Sequence, residues 1–321
     1  MLVRADGIGD ALVCAPLIAA LRDAGHPLGA VLGARNATVF APATFEQVHV
    51  LERIPWPAHG STPDSRAVAL REARAARYDA ALVVSEEVEA YAFARDAGIR
   101  RRIGFVNGWE KPLKTLHVGA LLSRRLVRPA SARRAREHEV ETLFRLGAGF
   151  YAEPVPTRDP ARLRPLLFEH PVERHGRVVV QLSAKLAACG LDLEAYVALV
   201  RALGAYETFV VADDRAFAAQ MRRASGCDLE LPPTLEAWKG RLAGAAAVVT
   251  PDSGAAHVAG MCGVPCVDLF AGGPTFDAEV RRWHPWAAPY RALPLRVGED
   301  PAALATRVRT ALAAVLATES P

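Results

Sequence analysis

Two short apolar runs in this chain each give way to a small-residue turn and then to a helical start. Leu2-Val3-Arg4 leads through Ala5-Asp6-Gly7-Ile8-Gly9-Asp10 into an Ala- and Leu-rich segment. Ala245-Ala246-Ala247-Val248-Val249 leads through Thr250-Pro251-Asp252-Ser253-Gly254 into Ala255-Ala256-His257-Val258-Ala259. A buried strand that turns at once into a helix is the opening of a β/α unit in a parallel sheet. Such a turn leaves backbone N–H groups at the positive end of the helix dipole, where a phosphate or diphosphate can bind. Gly7 and Gly9 permit a tight turn and close backbone approach. Asp10 is placed either to cap the helix or to face the mouth of the sheet. Ser253 is placed as an N-cap. His257, three residues past Gly254, sits where it can face the same anion or remain a surface histidine.

The β/α alternation runs along the whole chain. Strands are expected at residues 2–4, 28–32, 48–51, 80–84, 178–182, 208–211, 247–249 and 266–270. Helices are expected at 11–24, 65–76, 90–97, 137–146, 193–203, 215–224, 235–243, 255–261 and 301–317. Between residues 151 and 171, Pro154, Pro156, Pro160, Pro165 and Pro171 interrupt the pattern. That stretch reads as an interdomain linker, after which a fresh βαβ series begins at Arg177. The expected domains are residues 1–155 and 172–321, with 156–171 between them. The last helix is left free to pack back on the first domain.

Composition fits a large soluble enzyme. A chain of 321 residues is long enough for two domains, each with its own core. The opening lacks a basic-then-apolar leader, and no apolar run approaches the roughly 20 residues of a membrane span. A cytoplasmic protein is therefore expected. Five cysteines, an odd number, do not make a complete disulfide framework. Cys14, Cys262 and Cys266 sit in apolar contexts and read as core thiols rather than zinc ligands. The net charge of +4 does not call for nucleic acid, and no basic segment is interleaved with stacking aromatics. The basic residues are nonetheless concentrated. Lys111, Lys114, Arg124, Arg125, Arg128, Arg133, Arg134 and Arg136 fall in one region, with Leu113, Leu116, Val118, Leu121 and Leu122 among them. This segment reads either as a surface for anionic lipid or a phosphorylated acceptor, or as a solvated face.

Together, these residues resemble a known family. Arg4-x-x-x-Ile8-Gly9-Asp10 with Pro16-Leu17, and Pro251-Asp252-Ser253-Gly254-Ala255-Ala256-His257-Val258-Ala259 with Gly263-Val264-Pro265, are similar to two signatures of the family 9 glycosyltransferases. These are the ADP-heptose:lipopolysaccharide heptosyltransferases. Tyr78 to Val84, Arg102-Ile103-Gly104-Phe105 and His138 to Gly147 resemble further elements, so the likeness runs to about Trp286. It implies the GT-B architecture, an α/β fold of two Rossmann-like domains whose parallel sheets face across a cleft. It also implies an inverting, metal-independent transfer from a nucleotide sugar, ADP-heptose in the family, to an anionic glycolipid or related glycan at the inner membrane. No cofactor beyond that co-substrate is implied.

By the same resemblance, Asp10 matches the general base. The N–H groups of Ser253, Gly254 and Ala255, helped by Ser253 Oγ and His257, would hold the diphosphate. Asp252 would contact donor hydroxyls or organise the turn. Asp213 or Asp214, just after the strand at 208–211, would hold ribose hydroxyls or form a simple turn, and Thr275 of Gly272-Gly273-Pro274-Thr275, which resembles a family loop, would lie near the nucleotide. Lys111, Lys114, Arg124, Arg125 and Arg128 would meet the acceptor or the membrane. The chain departs from the family's Lys then Trp-Pro before the first helix of the second domain. Aligned on Glu194, Cys189 takes the Lys position, and Lys185 stands four residues upstream as its replacement. Another donor or acceptor, or a catalytically silent GT-B binding protein, therefore remains an alternative. A dinucleotide-dependent dehydrogenase fits less well, because Leu12 stands where G-x-G-x-x-G needs its third glycine.

Overall fold

The computed structural model describes residues 1–52, 60–212, 215–227 and 229–318. The chain forms two compact units, Met1–Thr157 with Pro165–Glu169, and Arg158–Arg164 with His170–Pro321.

In the first unit, parallel strands β1 (Leu2–Arg4), β2 (Gly29–Gly33), β3 (Gln47–Leu51), β4 (Ala80–Val83), β5 (Arg101–Val106) and β6 (Arg124–Val127) pair in the order β3-β2-β1-β4-β5-β6. Helices α1 (Ile8–Leu12), α2 (Ala15–Asp23), α3 (Pro63–Ala76), α4 (Val88–Asp96), α5 (Pro112–Ala120) and α6 (Glu139–Phe144) connect or flank them. The helix expected over residues 11–24 is two helices. Pro16 has no N–H and crowds the carbonyl four residues back, so the chain restarts at Ala15 with Cys14 as N-cap. In this unit two strands, β5 and β6, lie outside the expected set. β5 begins with Arg101 and Arg102 and is buried only from Ile103 on, so charge hides its start. β6 is an edge strand carrying Arg124 and Arg125, a charged pair that discourages edge-to-edge pairing.

The proline-rich stretch contains a helix, α7 (Pro160–Leu167), whose residues 160–164 belong to the second unit and 165–167 to the first. The second unit has strands β7 (Val178–Leu182), β8 (Thr208–Ala212), β9 (Leu229–Glu230), β10 (Ala247–Pro251), β11 (Cys266–Ala271) and β12 (Tyr290–Leu295), in the order β12-β11-β10-β7-β8-β9, again all parallel. Its helices are α8 (Leu193–Ala202), α9 (Arg215–Ser225), α10 (Leu235–Ala243), α11 (Gly254–Cys262), α12 (Phe276–Trp283) and α13 (Pro301–Ala317). β7 and β10 are buried along their whole length, as strands covered on both faces must be.

The core of this unit joins Val178, Val180, Leu182, Val249, Val267 and Leu269 to Leu199 of α8 and Val308, Leu312 and Val315 of α13. Each such side chain stabilises the fold by about 1.5–3 kcal/mol relative to exposure. The last helix thus packs on α8 and on β10, β11 and β12 of its own unit. Side chains alternate across β11. Val267 and Leu269 join this core, and Cys266, Asp268 and Phe270 take the opposite face.

Candidate active site

Each sheet winds outward in both directions from one neighbouring pair of strands, β1 and β4 in the first unit, β7 and β10 in the second. Ligands of open parallel sheets bind at the carboxyl ends of such a pair, where the connecting chain leaves a crevice.

In the second unit that crevice lies beside the N-terminus of α11. Ser253 is its N-cap; Oγ accepts the Ala255 N–H at 3.3 Å and meets Thr250 Oγ1 at 3.1 Å. The cap therefore occupies one of the N–H groups expected to hold an anion. Those of Ser253 and Gly254 have no partner among the described residues. Lys185 reaches the same turn from beyond β7. Its Nζ donates to the Asp252 carbonyl and lies 3.3 Å from Asp252 Oδ2. The structure thus brings Lys185, Asp252, Ser253, Gly254 and Ala255 together. His257 is not at the surface. It is buried, with its ring edge-on to Trp283 of α12 at a centroid distance of 6.1 Å.

Thr275 is the half-buried N-cap of α12. The loop before it needs its glycines. A Cβ on Gly272 would stand 2.1 Å from the Leu295 carbonyl oxygen, and Gly273 has a φ of 121°. Asp213 and Asp214 lie outside the described residues.

Two acids near this turn were not read from the sequence as site residues. Burial pushes the Glu279 carboxyl, on α12, above its usual range; Arg282 and Lys185 oppose this and Asp252 adds to it. Asp268 pairs in register with Thr250, is 0 % exposed, and has no hydrogen-bond partner for either carboxylate oxygen. Burial holds its proton well above the usual carboxylate range; the Asp252 charge reinforces this and Lys185 opposes it.

In the first unit the crevice is organised by Arg4, the last residue of β1, whose side chain is buried. Its guanidinium donates to the Val84 carbonyl just past β4 and to Asp10 Oδ1 at 2.7 Å, and lies 3.5 Å from Asp6. Burial alone would lower its pKa, but Asp10 and Asp6 more than reverse that and keep it charged. Asp6 accepts from Ser85 Oγ, and Asn36 Nδ2 donates to the carbonyls of Arg4 and Asp6 at 3.1 and 3.0 Å. Gly7, not Asp10, is the N-cap of α1, and Asp10 stands in the first turn of that helix. Oδ2 accepts the Gly7 N–H at 3.3 Å, bracing the start of α1, yet the side chain is 39 % exposed. Gly7 serves by size: its φ is −74°, and a Cβ there would lie 3.0 Å from Asp10 Oδ2. Gly9 has no positive φ either.

The basic region divides. Lys111, Arg124 and Arg125 are exposed, and Lys114 is half-buried with its ammonium pKa lowered by burial. Arg128 is corrected: it is buried and pairs with Glu86 and, at 2.6 Å, with Glu139. It braces the unit from inside and is not part of the exposed basic surface. Cys14, Cys262 and Cys266 are buried free thiols. Among the described residues no group of three or more His, Cys, Asp or Glu is arranged to hold a metal.

Comparison with known proteins adds to this geometry. The profile described as Glycosyltransferase family 9 (heptosyltransferase) matches residues 67–303. No curated protein sequence matches. Among solved structures, E. coli heptosyltransferase WaaC with ADP is 18% identical, covers 98% of this chain and 99% of that chain, and has a TM-score of 0.75. E. coli ADP-heptose LPS heptosyltransferase II is 20% identical over 99% and 98%, with a TM-score of 0.69. E. coli WaaC with ADP-2-deoxy-2-fluoro heptose is 19% identical over 97% and 99%, also at 0.69. At these identities the likeness is one of fold, the two-domain α/β arrangement called GT-B.

Proposed function

This chain belongs to glycosyltransferase family 9, and from that premise we propose that it moves a heptose-like sugar from an ADP-sugar to a lipopolysaccharide core or related anionic glycan. Membership makes it a glycosyltransferase. WaaC bound to ADP and to an ADP-heptose analogue supports the choice of donor. We place the reaction at the cytoplasmic face of the inner membrane, where a lipid-linked acceptor would meet an enzyme with no helix long and apolar enough to span, among the described residues.

The observation that carries the reading is the convergence of Lys185 with the open N–H groups of Ser253 and Gly254 at one helix start. A cation and two aligned donors stabilise the negative charge that develops on a departing diphosphate. Lys185 would leave Asp252 for the diphosphate, and Asp252 would be freed for donor hydroxyls. Asp10, half-open and fixed by Arg4 and Gly7, would take the proton of the acceptor hydroxyl. The acceptor oxygen bonds to the anomeric carbon, the carbon–oxygen bond to the diphosphate breaks, and ADP leaves with inversion.

Calorimetric titration with ADP, UDP, GDP and dTDP, followed by transfer assays on heptose-free lipopolysaccharide, tests this. We expect ADP to bind tightest and ADP-heptose to be consumed. Tighter binding of another nucleotide would reassign the donor. Binding of ADP without transfer to any glycan would leave a silent binding protein.

A further inference from the structure

Helix α5 is turned apolar side out. Its inner side carries Val118 and Gly119, and its outer side carries Leu113 at 84 % and Leu116 at 75 % exposure. Trp109, in the 3-10 turn Gly108–Glu110 just before it, is 94 % exposed, and Val127 on the edge strand β6 is exposed as well. A helix on a soluble surface normally shows the reverse pattern. Single exposed apolar residues are ordinary, but a group of them rimmed by charge marks an interaction site.

The pieces are joined. Thr115 Oγ1 donates to the Gly108 carbonyl at 2.9 Å, tying α5 to the turn. The Cβ position of Gly108 is 3.6 Å from Val127, and that of Gly119 is 3.0 Å from the Arg125 guanidinium. The Glu110 carboxylate accepts the N–H groups of Ala130 and Ser131 at 3.2 and 3.1 Å. The charge carried by this segment is almost all of one sign. From residue 107 to 136 there are eight Lys and Arg and one acid, Glu110, which is turned onto that backbone. Arg128 is paired inside, which leaves Lys111, Arg124, Arg125, Arg133, Arg134 and Arg136 exposed.

We propose that this face docks on an anionic lipid bilayer. Trp109, Leu113 and Leu116 enter the headgroup–acyl boundary, and Lys111, Arg124 and Arg125 meet lipid phosphates. An apolar knob ringed by cations matches a surface that is anionic above and apolar beneath, and Trp favours that boundary. A protein partner would instead have to supply an apolar pocket ringed by acids. A nine-residue helix is too short to span, so it lies in the interface plane. This deepens the membrane contact proposed above, but it depends on neither the donor nor the reaction.

Sedimentation with vesicles of phosphatidylglycerol and phosphatidylcholine, against phosphatidylcholine alone, tests it on the full chain without donor. We expect the wild type to sediment with anionic vesicles at low salt, and at least tenfold less so at high salt. Trp109→Ser with Leu113→Ser and Leu116→Ser should lower partitioning at least tenfold, while the thermal midpoint and transfer to a short soluble acceptor stay unchanged. Lys111→Gln with Arg124→Gln and Arg125→Gln should weaken binding and flatten its salt dependence. Trp109→Phe should remove a blue shift of tryptophan fluorescence that vesicles induce. Equal binding by the triple Ser variant, equal binding to neutral vesicles, or no binding at low salt would overturn the proposal. Lost docking with retained transfer would leave the proposed reaction standing, and the opposite result would leave the docking face.

Discussion

The two crevices share a topology and place their charges in opposite ways. In the first unit the cation is inside: Arg4 ends a buried strand, and the carboxylates of Asp6 and Asp10 gather around it. In the second the cation is outside: Lys185 stands half-exposed beyond β7 and holds Asp252, while the buried group is an acid, Asp268. A guanidinium fixes partners through a planar fork and stays charged, whereas an ammonium on a flexible stem exchanges one anion for another. A group that must take a proton at a set place suits the first arrangement. A group that must grip and release a diphosphate suits the second. The same winding of chain therefore supplies two different tools.

The sharpest way to break this contrast is at Asp10. Asp10→Asn keeps the shape but leaves one acceptor oxygen, so its amide nitrogen must face either Arg4 or the Gly7 N–H, and it removes the proposed base. We expect turnover to fall by roughly 10²–10⁴ while ADP affinity stays within about twofold. Wild-type turnover under saturating donor would reduce Asp10 to a brace for the start of α1.

The second test asks whether Arg4 is structural in a way Lys185 is not. Arg4→Met strands Asp6, Asp10 and the Val84 carbonyl around an apolar side chain, and should cost about 3 kcal/mol in denaturant unfolding. Lys185→Met, at a half-exposed pair, should change stability by no more than about 0.5 kcal/mol. It should instead weaken ADP binding by about tenfold or more, as loss of a charged hydrogen bond does. Similar stability losses in both variants, with no loss of ADP affinity, would erase the distinction between a fixed and an exchangeable cation.

The sequence makes some of this plain and hides the rest. β7 and α13 have the bounds expected of them, because an unbroken Val run and a Pro-led Ala and Leu helix carry their own signals. The turn at Asp252-Ser253-Gly254 is equally local, since an N-cap acts within three residues. β6, β12 and α5 escape notice, being two edge strands and a helix with its apolar side outward, where the usual period is weak or inverted. Arg4 stands in the motif, but its burial depends on Val84 and Asn36, far along the chain. Likewise nothing near His257 foretells that Trp283 closes over it.

The smallest effect expected is also the one that tests the buried acid itself. Asp268 sits in the middle of β11 with Thr250 beside it, Cys266 on the same face, and Asp252, Lys185 and Tyr290 close enough to feel its charge. With no hydrogen-bond partner for either oxygen, the folded chain favours the protonated acid, so its folded pKa lies above that of the unfolded chain, near 3.9. A raised pKa means that the folded state binds more protons. The stability it contributes is complete below about pH 4 and is lost as pH rises toward the folded pKa. Asp268→Asn removes the titration and keeps the volume. We expect the variant to gain about 1–2 kcal/mol at pH 7, where an unpaired buried carboxyl is most costly, and to match wild type near pH 4. Unfolding followed at several pH values reads both the gain and the flattened slope. A variant less stable than wild type at pH 7 would mean that the carboxylate is ionised and paired, and that the second crevice, like the first, is built around an inner ion pair.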